Sequence, residues 1–256
     1  MIAIKFAAVI LLASLPLLGS CSKEPKSEPA KPSEPSPATA PEPSKSSPGE
    51  GIGTITGKVV FTGTYAAGKT VISKDREACG DTKLDPSLVV AKEGQLKNAV
   101  IQFSDLKQGK SPPKEAELDQ AKCEYVPHVI VVPTGATVKI KNSDGILHNV
   151  HSVSEKNTPF NRAQPKFMKE IKETFSKPEI VQLRCDVHGW MNGWIVVTEN
   201  PFFDVTQVDG TFKFDSVPVG KYTLEVWHEI LGKATQQVEV KLGEVTNVTF
   251  EFQMKK

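Results

Sequence analysis

Residues 125–144, YVPHVIVVPTGATVKIKNSD, show the clearest secondary-structure pattern in the chain. Residues 126–132 are nearly all apolar, and Pro133-Thr134-Gly135 follows them as a turn signal. Over residues 137–142, valine and isoleucine alternate with lysine. That alternation is typical of a strand with one face in the core and the other in water. The stretch therefore predicts two strands joined at the turn.

Strand patterns continue on both sides of this stretch. Short apolar or alternating segments predict strands at residues 54–62, 98–103, 180–185 and 194–198. After Phe202, a hairpin signal at Asp209-Gly210 and a turn at residues 217–220 separate further alternating segments. Residues 159–177 fit either a helix face or an irregular crossover. Together, these predicted strands indicate an all-β protein built of β-sandwiches.

The beginning of the chain predicts export. Residues 1–20 combine an early lysine with a short apolar run, as a signal peptide does. The sequence that ends at Cys21 resembles the lipobox of bacterial lipoproteins, which implies cleavage before Cys21 and a lipid on its sulfur. Ordinary cleavage nearby would instead leave a stray thiol. Residues 21–50 are rich in proline and serine and are expected to be a disordered tether.

Composition narrows the range of partners. The formal net charge of the 256-residue chain is +1, and its lysines and arginines are scattered. We therefore expect no nucleic-acid partner. The membrane contact that we expect is the lipid anchor, which would hold the protein on the periplasmic or extracellular side of the cell envelope.

The segment RCDVHGWMNGW, residues 184–194, contains three side chains with soft or borderline donor atoms: Cys185, His188 and Met191. A trigonal set of two histidines and one cysteine, with a weak axial methionine, describes a blue copper site. The second histidine has to come from another strand, and His148 in NSDGILHNVHS is the candidate.

These two motifs resemble those of the cupredoxins, the blue copper proteins that include amicyanin- and plastocyanin-like members. The resemblance covers roughly residues 98–198 and implies a Greek-key sandwich that binds one type 1 copper ion. It makes His148, Cys185 and His188 the equatorial ligands and Met191 the axial one. It also implies that Asn149 ties the two ligand loops together. Leu147 and Gly189 depart from the family pattern, in which proline is usual at both positions.

Other interpretations of the motif are open. Zinc would accept the cysteine and the two histidines, but structural zinc seldom uses methionine. A cysteine–histidine nucleophile pair would need an orienting third group and an oxyanion hole, which no motif indicates. His151 is predicted to point to the opposite face of the strand from His148 and is the reserve ligand. His128 and His228 are expected to be structural or exposed.

The C-terminal stretch VDGTFKFDSVPVGKYTLEVWHE, residues 208–229, resembles the carboxypeptidase regulatory-like, or transthyretin-like, sandwich. The simplest division places a copper domain at residues 51–198 and this smaller sandwich at residues 199–256. Domains of the second kind usually begin with a strand like that near residue 54. Residues 51–75 are therefore open to pairing with the C-terminal domain, with the metal-bearing part inserted between them.

The four cysteines then divide by role. If Cys21 carries lipid and Cys185 binds metal, Cys79 and Cys123 remain, and export favours a disulfide between them over two reduced thiols. The resulting hypothesis is an electron carrier, not an enzyme, that exchanges single electrons with redox partner proteins and has no small-molecule substrate. Alternatives are copper delivery without electron transfer, or an envelope scaffold with a structural metal.

Overall fold

The computed structural model describes residues 49–109 and 112–254. The predicted signal peptide, Cys21 and the tether lie outside this range, apart from the last two tether residues. Within the range, no helix is long and apolar enough to cross a membrane. The strands are β1 (Gly49–Phe61), β2 (Lys69–Val71), β3 (Thr82–Leu84), β4 (Val100–Phe103), β5 (Glu115–Ala121), β6 (Glu124–Val126), β7 (Val129–Pro133), β8 (Ala136–Asn142), β9 (His148–Val153), β10 (Asn161–Gln164), β11 (Glu170–Phe175), β12 (Glu179–Arg184), β13 (Asn192–Thr198), β14 (Phe203–Val205), β15 (Thr211–His228), β16 (Gly232–Val240) and β17 (Val245–Phe252). One short helix, α1 (Arg76–Cys79), lies between β2 and β3.

The predicted all-β fold is confirmed. Two sheets pack as a first sandwich, and a six-stranded sheet in the order β14-β4-β15-β1-β17, with β16 paired to β15, encloses a second core; we call this part the second sandwich. The first sandwich, residues 115–198, packs the sheet β10-β9-β12-β13-β7 against the sheet β11-β8-β5-β6. Its core is one cluster of buried side chains from both sheets, among them Leu118, Val138, Val150 and Leu183. Burial of such aliphatic side chains contributes about 1.5–3 kcal/mol each, before the entropy of ordering them is counted.

The strand–turn–strand stretch at residues 125–144 crosses between these two sheets. In β8 buried and half-buried residues alternate strictly, as the valine–lysine pattern predicts. However, β7 pairs with β13 whereas β8 pairs with β5 and β11, so the two strands are not a hairpin. Gly135, at φ 82°, makes the turn and donates its N–H to Phe175 O at 2.7 Å. The turn therefore closes one end of the sandwich.

Residues 159–177 form no helix; they cross from one sheet of the first sandwich to the other, as the crossover alternative predicts, but as two regular strands. They contain β10 and β11, joined by a turn in which Phe167 is 79% exposed. Ile171 and Phe175 are four apart, and an even spacing puts both on one face of a strand as readily as on a helix. The apolar spacing alone was therefore ambiguous.

The second sandwich is built around the long strand β15. The first half of β15 pairs with β1, and its second half pairs with β4 and β16. The turn expected at residues 217–220 is instead a bend within this continuous strand, where Ser216 and Gly220 have positive φ. Its buried cluster includes Phe103, Phe212, Phe214 and Tyr222.

The N-terminal strands belong to the second sandwich. β1 pairs with β15 and, in parallel, with β17, and β4 pairs with β14 and β15. The strands of the first sandwich are thus inserted between β4 and β14, and a consecutive division at residues 198 and 199 does not describe the pairing. β4 belongs to the second sandwich because its side chains pack there: Ile101 and Phe103 enter the second core. Val100, on the other face of β4, packs in a cluster shared with the first sandwich.

The shared cluster joins the two sandwiches. Trp194 of β13 and Trp227 of β15 meet edge to face, with ring centroids 5.4 Å apart. Beside them, Glu229 accepts the indole N–H of Trp194 at 2.8 Å and contacts His128 Nε2. His228 is fully buried in the second sandwich, where burial lowers its pKa to about 4. His128 thus contacts Glu229 and His228 lies in a core, which are positions typical of structural histidines.

Glu179, at the start of β12, organises the loop that follows β9. Its carboxylate accepts hydrogen bonds from Ser154 Oγ at 2.6 Å, from the N–H groups of Glu155, Lys156 and Asn157, and from the Asn157 side-chain amide at 2.9 Å. Partial burial acts to raise the pKa of Glu179, but these donors outweigh it and lower the pKa from 4.5 to about 2.

We expect Glu179→Gln to lower the free energy of unfolding by about 1–3 kcal/mol at neutral pH, because a neutral amide accepts these hydrogen bonds less strongly. A carboxylate with a lowered folded-state pKa stabilises the fold above its unfolded pKa. The difference between wild type and variant should therefore shrink as the pH falls from about 4.5 to about 2. Urea unfolding at several pH values measures it. Glu155→Gln is the matched control, because only its backbone N–H takes part.

Candidate metal centre

Strand pairing places the predicted ligands at one end of the first sandwich. His148 is the first residue of β9, and Cys185 directly follows β12. These strands are antiparallel neighbours, with His151 opposite Arg184. The loop from Cys185 to Met191 is closed by hydrogen bonds from Cys185 N to Met191 O (3.2 Å) and from Met191 N to His188 O (2.8 Å).

His148, Cys185 and His188 converge on one buried point. The Nδ1 atoms of the two histidines are 2.9 Å apart, and the Cys185 sulfur lies 3.9 Å from Nδ1 of His148 and 3.7 Å from Nδ1 of His188. Both imidazoles are fully buried, and Cys185 is 2% exposed. These are residue types and separations that can hold a metal ion.

A carboxylate lies at the outer nitrogen of each imidazole. His148 Nε2 is 2.9 Å from Asp144 Oδ2, and His188 Nε2 is 3.0 Å from Asp75 Oδ2. A carboxylate only accepts, so each Nε2 carries the proton and donates it. The Nδ1 atom of each imidazole then faces Cys185 in a buried space, where a shared proton or a bound metal ion would join these atoms.

The pKa values of the three side chains reflect their burial and their contacts with one another. Burial lowers the pKa of His148, but Asp144 and Cys185 outweigh it and raise that pKa from 6.5 to about 9. Burial raises the pKa of the Cys185 thiol, yet hydrogen bonding to His148 and to loop N–H groups brings it below its ordinary value. Burial and the charge of His148 lower the pKa of His188. His148 therefore carries a second proton at neutral pH, which a metal ion bound at its Nδ1 would have to displace.

Met191 belongs to the loop that carries Cys185 and His188, and Asn149 contacts that loop. Met191 is buried in the same cluster as Cys185, at the end of the loop. The side-chain oxygen of Asn149 accepts the N–H of Asp186 at 2.6 Å and of Val187 at 3.3 Å. Asn149 thereby joins β9 to the loop. Tyr125 adds a second link, because its hydroxyl lies 3.0 Å from both Asn149 O and Arg184 O.

The cysteines are arranged as the sequence predicts within the described range. Cys79 and Cys123 form a disulfide, and Cys185 keeps a free thiol. Both disulfide sulfurs lie within 4.8 Å of a His188 nitrogen, although their bond leaves them unable to serve as thiolate ligands. Trp190 covers the same region, with its indole N–H 3.2 Å from Cys123 O and its ring 5.1 Å from that of His188.

His151 does not reach this pocket. It is partly exposed and contacts Asp186 at 3.1 Å, outside the buried group. Leu147 and Gly189, the two departures from the cupredoxin pattern, leave the pocket intact. Leu147 is exposed, and a Cβ added at Gly189 would meet no atom within 4 Å.

Sequence reasoning missed Asp75 and Asp144. Asp144 lies four residues before His148 in the NSDG turn, so its proximity was detectable. Asp75 is 113 residues from His188 and directly precedes α1, outside both motifs. No spacing or periodicity connects it to the loop.

Comparison with known proteins gives partial likeness to solved structures. No family model matches the chain, and no curated protein matches it. The Cu-containing nitrite reductase of Thermus scotoductus SA-01 shares 21% identity over 38% of this chain, at a TM-score of 0.31, and the chain spans 25% of that protein. A purple cupredoxin from Nitrosopumilus maritimus shares 21% identity over 32% of this chain and 99% of its own, at 0.28. A Cu(I) amicyanin variant shares 21% identity over 38% and 98%, at 0.31.

We expect Asn149→Ala to lower the free energy of unfolding of the metal-free protein by about 1–3 kcal/mol, because it leaves loop N–H groups without an acceptor. Asn247→Ala is the control, since Asn247 is an exposed asparagine of the second sandwich that accepts a hydrogen bond from Thr56 Oγ1 and has no contact with the loop. Denaturant midpoints measure both. An equal loss in the two variants would contradict the linking role of Asn149.

Proposed function

We propose that this chain binds one copper ion between His148, Cys185 and His188, with Met191 as a fourth, weak ligand. The observation that supports it best is the pair of Nδ1 atoms 2.9 Å apart, facing the Cys185 sulfur, with both Nε2 atoms occupied by carboxylates. Imidazole nitrogen together with thiolate and thioether sulfur suits copper, whereas structural zinc normally takes four strong donors.

We propose electron transfer as the use of this centre. Bound copper would supply a Cu(II)/Cu(I) couple that accepts or releases one electron. The chain provides ligands whose positions are fixed by β9, β12 and a hydrogen-bonded loop, so that little has to move when the charge changes. With four donors committed, no position is left for a substrate.

A nucleophilic role for Cys185 is less well supported. Its lowered pKa and its contact with His148 resemble an activated thiol. Reactive cysteines, however, lie at partly exposed positions, and this sulfur is buried beneath two histidines. Met191 would also have no part in such chemistry.

We also propose that the protein works at the cell envelope, held by lipid at Cys21, with envelope redox proteins as its partners. The signal sequence, the lipobox-like ending and the disulfide Cys79–Cys123 support this location, since disulfides persist in oxidising compartments. The C-terminal resemblance to carboxypeptidase regulatory-like domains stays a prediction.

Copper titration of the full-length protein in detergent tests the proposal. We expect one Cu(II) per chain and an intense visible absorption from thiolate-to-copper charge transfer, which ascorbate bleaches and an oxidant restores. Tight binding of Zn(II) with no coloured copper form would favour a structural metal. Binding of Cu(I) without a stable oxidised form would favour copper delivery.

Two ligand substitutions sharpen this test. Cys185→Ser should abolish the visible band, because serine offers no thiolate. Met191→Leu should keep the band and raise the reduction potential, because leucine removes a donor that stabilises Cu(II). Met168→Leu, at an exposed methionine outside the loop, is the matched control and should leave both unchanged. A band that survives Cys185→Ser would refute the ligand assignment.

A further inference from the structure

The outer edge of His188 is covered by a small element outside both sandwiches. We name residues 69–84 the cap: the strands β2 and β3, which pair with each other, and α1 between them. The cap is tied to the first sandwich at three places. Ile72 is buried in its core, Cys79 is bonded to Cys123, and Lys83 forms an ion pair with Glu124 at 3.0 Å.

Asp75 within the cap adopts an unusual conformation. It occupies the N-cap position of α1 with φ 51° and ψ 38°, in the left-handed region that non-glycine residues seldom adopt. An aspartate at this position ordinarily accepts an N–H of its own helix. In the described part of the chain, Asp75 makes no such capping bond, and its carboxylate contacts His188 Nε2 instead. Local backbone preference therefore does not explain the placement of this side chain.

Asp144 occupies the equivalent place at His148 but has more partners. Its carboxylate also accepts the N–H of Cys123 at 2.7 Å and the N–H of Lys122. Lys122 and Cys123 both have positive φ, so Asp144 helps to fix this turn. Asp144 thus serves the fold as well as the imidazole, whereas the side chain of Asp75 is 35% exposed.

We infer that Asp75 and Asp144 are positioning residues for the metal centre, each holding the Nε2–H of one imidazole so that Nδ1 faces Cys185, and that the disulfide Cys79–Cys123 acts through Asp75 by keeping the cap in place. This rests on the proposed function. A carboxylate hydrogen-bonded to a ligand histidine fixes its tautomer and orientation and raises its basicity. Its negative charge also favours the more highly charged state of the ion.

Asp75→Asn and Asp75→Ala in the full-length protein test this inference, with Asp81→Asn as control. Asp81 lies in the same cap, is highly exposed and pairs with Arg76, not with a histidine. We expect Zn(II) affinity to fall by about 10–100-fold in Asp75→Ala and less in Asp75→Asn. The reduction potential of the copper form should rise in both, because Cu(II) loses more stabilisation than Cu(I), while Asp81→Asn should match wild type.

The link through the disulfide is tested by a mutant cycle. Replacing both Cys79 and Cys123 with serine should raise the potential in the same direction as Asp75→Ala. Combining the two changes should add little, because both remove the same contact. Fully additive effects would show that the disulfide does not act through Asp75.

The outcomes separate the two proposals. If the wild-type protein forms no coloured one-copper centre, the proposed function fails. If wild type forms that centre but Asp75→Asn and Asp75→Ala have the potential and Zn(II) affinity of Asp81→Asn, copper binding stands and the positioning role is wrong. A role of Asp75 in folding alone would change the free energy of unfolding while leaving the potential as in wild type, which also contradicts the inference.

Discussion

The pairing of β9 with β12 is the constraint on which the candidate centre depends. Antiparallel hydrogen bonds that set His151 opposite Arg184 bring His148 and Cys185, 37 residues apart in sequence, to the same end of one sheet. A shift of register by one residue would turn every side chain of a strand to its other face, and the imidazole would leave the core. Tyr125 and Asn149 hold this register where the ladder ends, by joining both strands and the loop.

Much of the fold follows from alternation along the strands, and the exceptions have physical causes. β8 is read directly from its sequence because its lysines mark the solvent face. Residues 159–177 are ambiguous because apolar residues four apart share a face in either a helix or a strand. At residues 217–220, proline and glycine mark a bend but do not say whether the strand stops there. Sequence pattern also does not assign β4 to a sheet, because both of its faces are buried.

The candidate site also has a part that the sequence predicts and a part that it does not. Cys185, His188 and Met191 stand within one short loop, so their spacing is visible in the sequence, and His148 follows a strand that is easily recognised. The carboxylate contacts at the outer nitrogens of the histidines are not visible in the sequence. Asp75 approaches His188 through a cap whose position comes from a disulfide and a buried isoleucine, and none of these leaves a periodic pattern. Local motifs therefore reveal donor atoms, while the groups that orient them emerge only from long-range folding.

The insertion of the first sandwich between β4 and β14 has a mechanical consequence. These two strands are hydrogen-bonded neighbours, with Gln102 opposite Phe203, so the chain leaves and re-enters the second sandwich at one spot. Two chain connections at one sheet edge would by themselves leave the two sandwiches free to rotate about that edge. The contact between Trp194 and Trp227 and the hydrogen bond from Trp194 to Glu229 join the sandwiches across the shared cluster. Relative rotation of the two sandwiches would therefore have to break the Trp194–Trp227 contact and the hydrogen bond from Trp194 to Glu229.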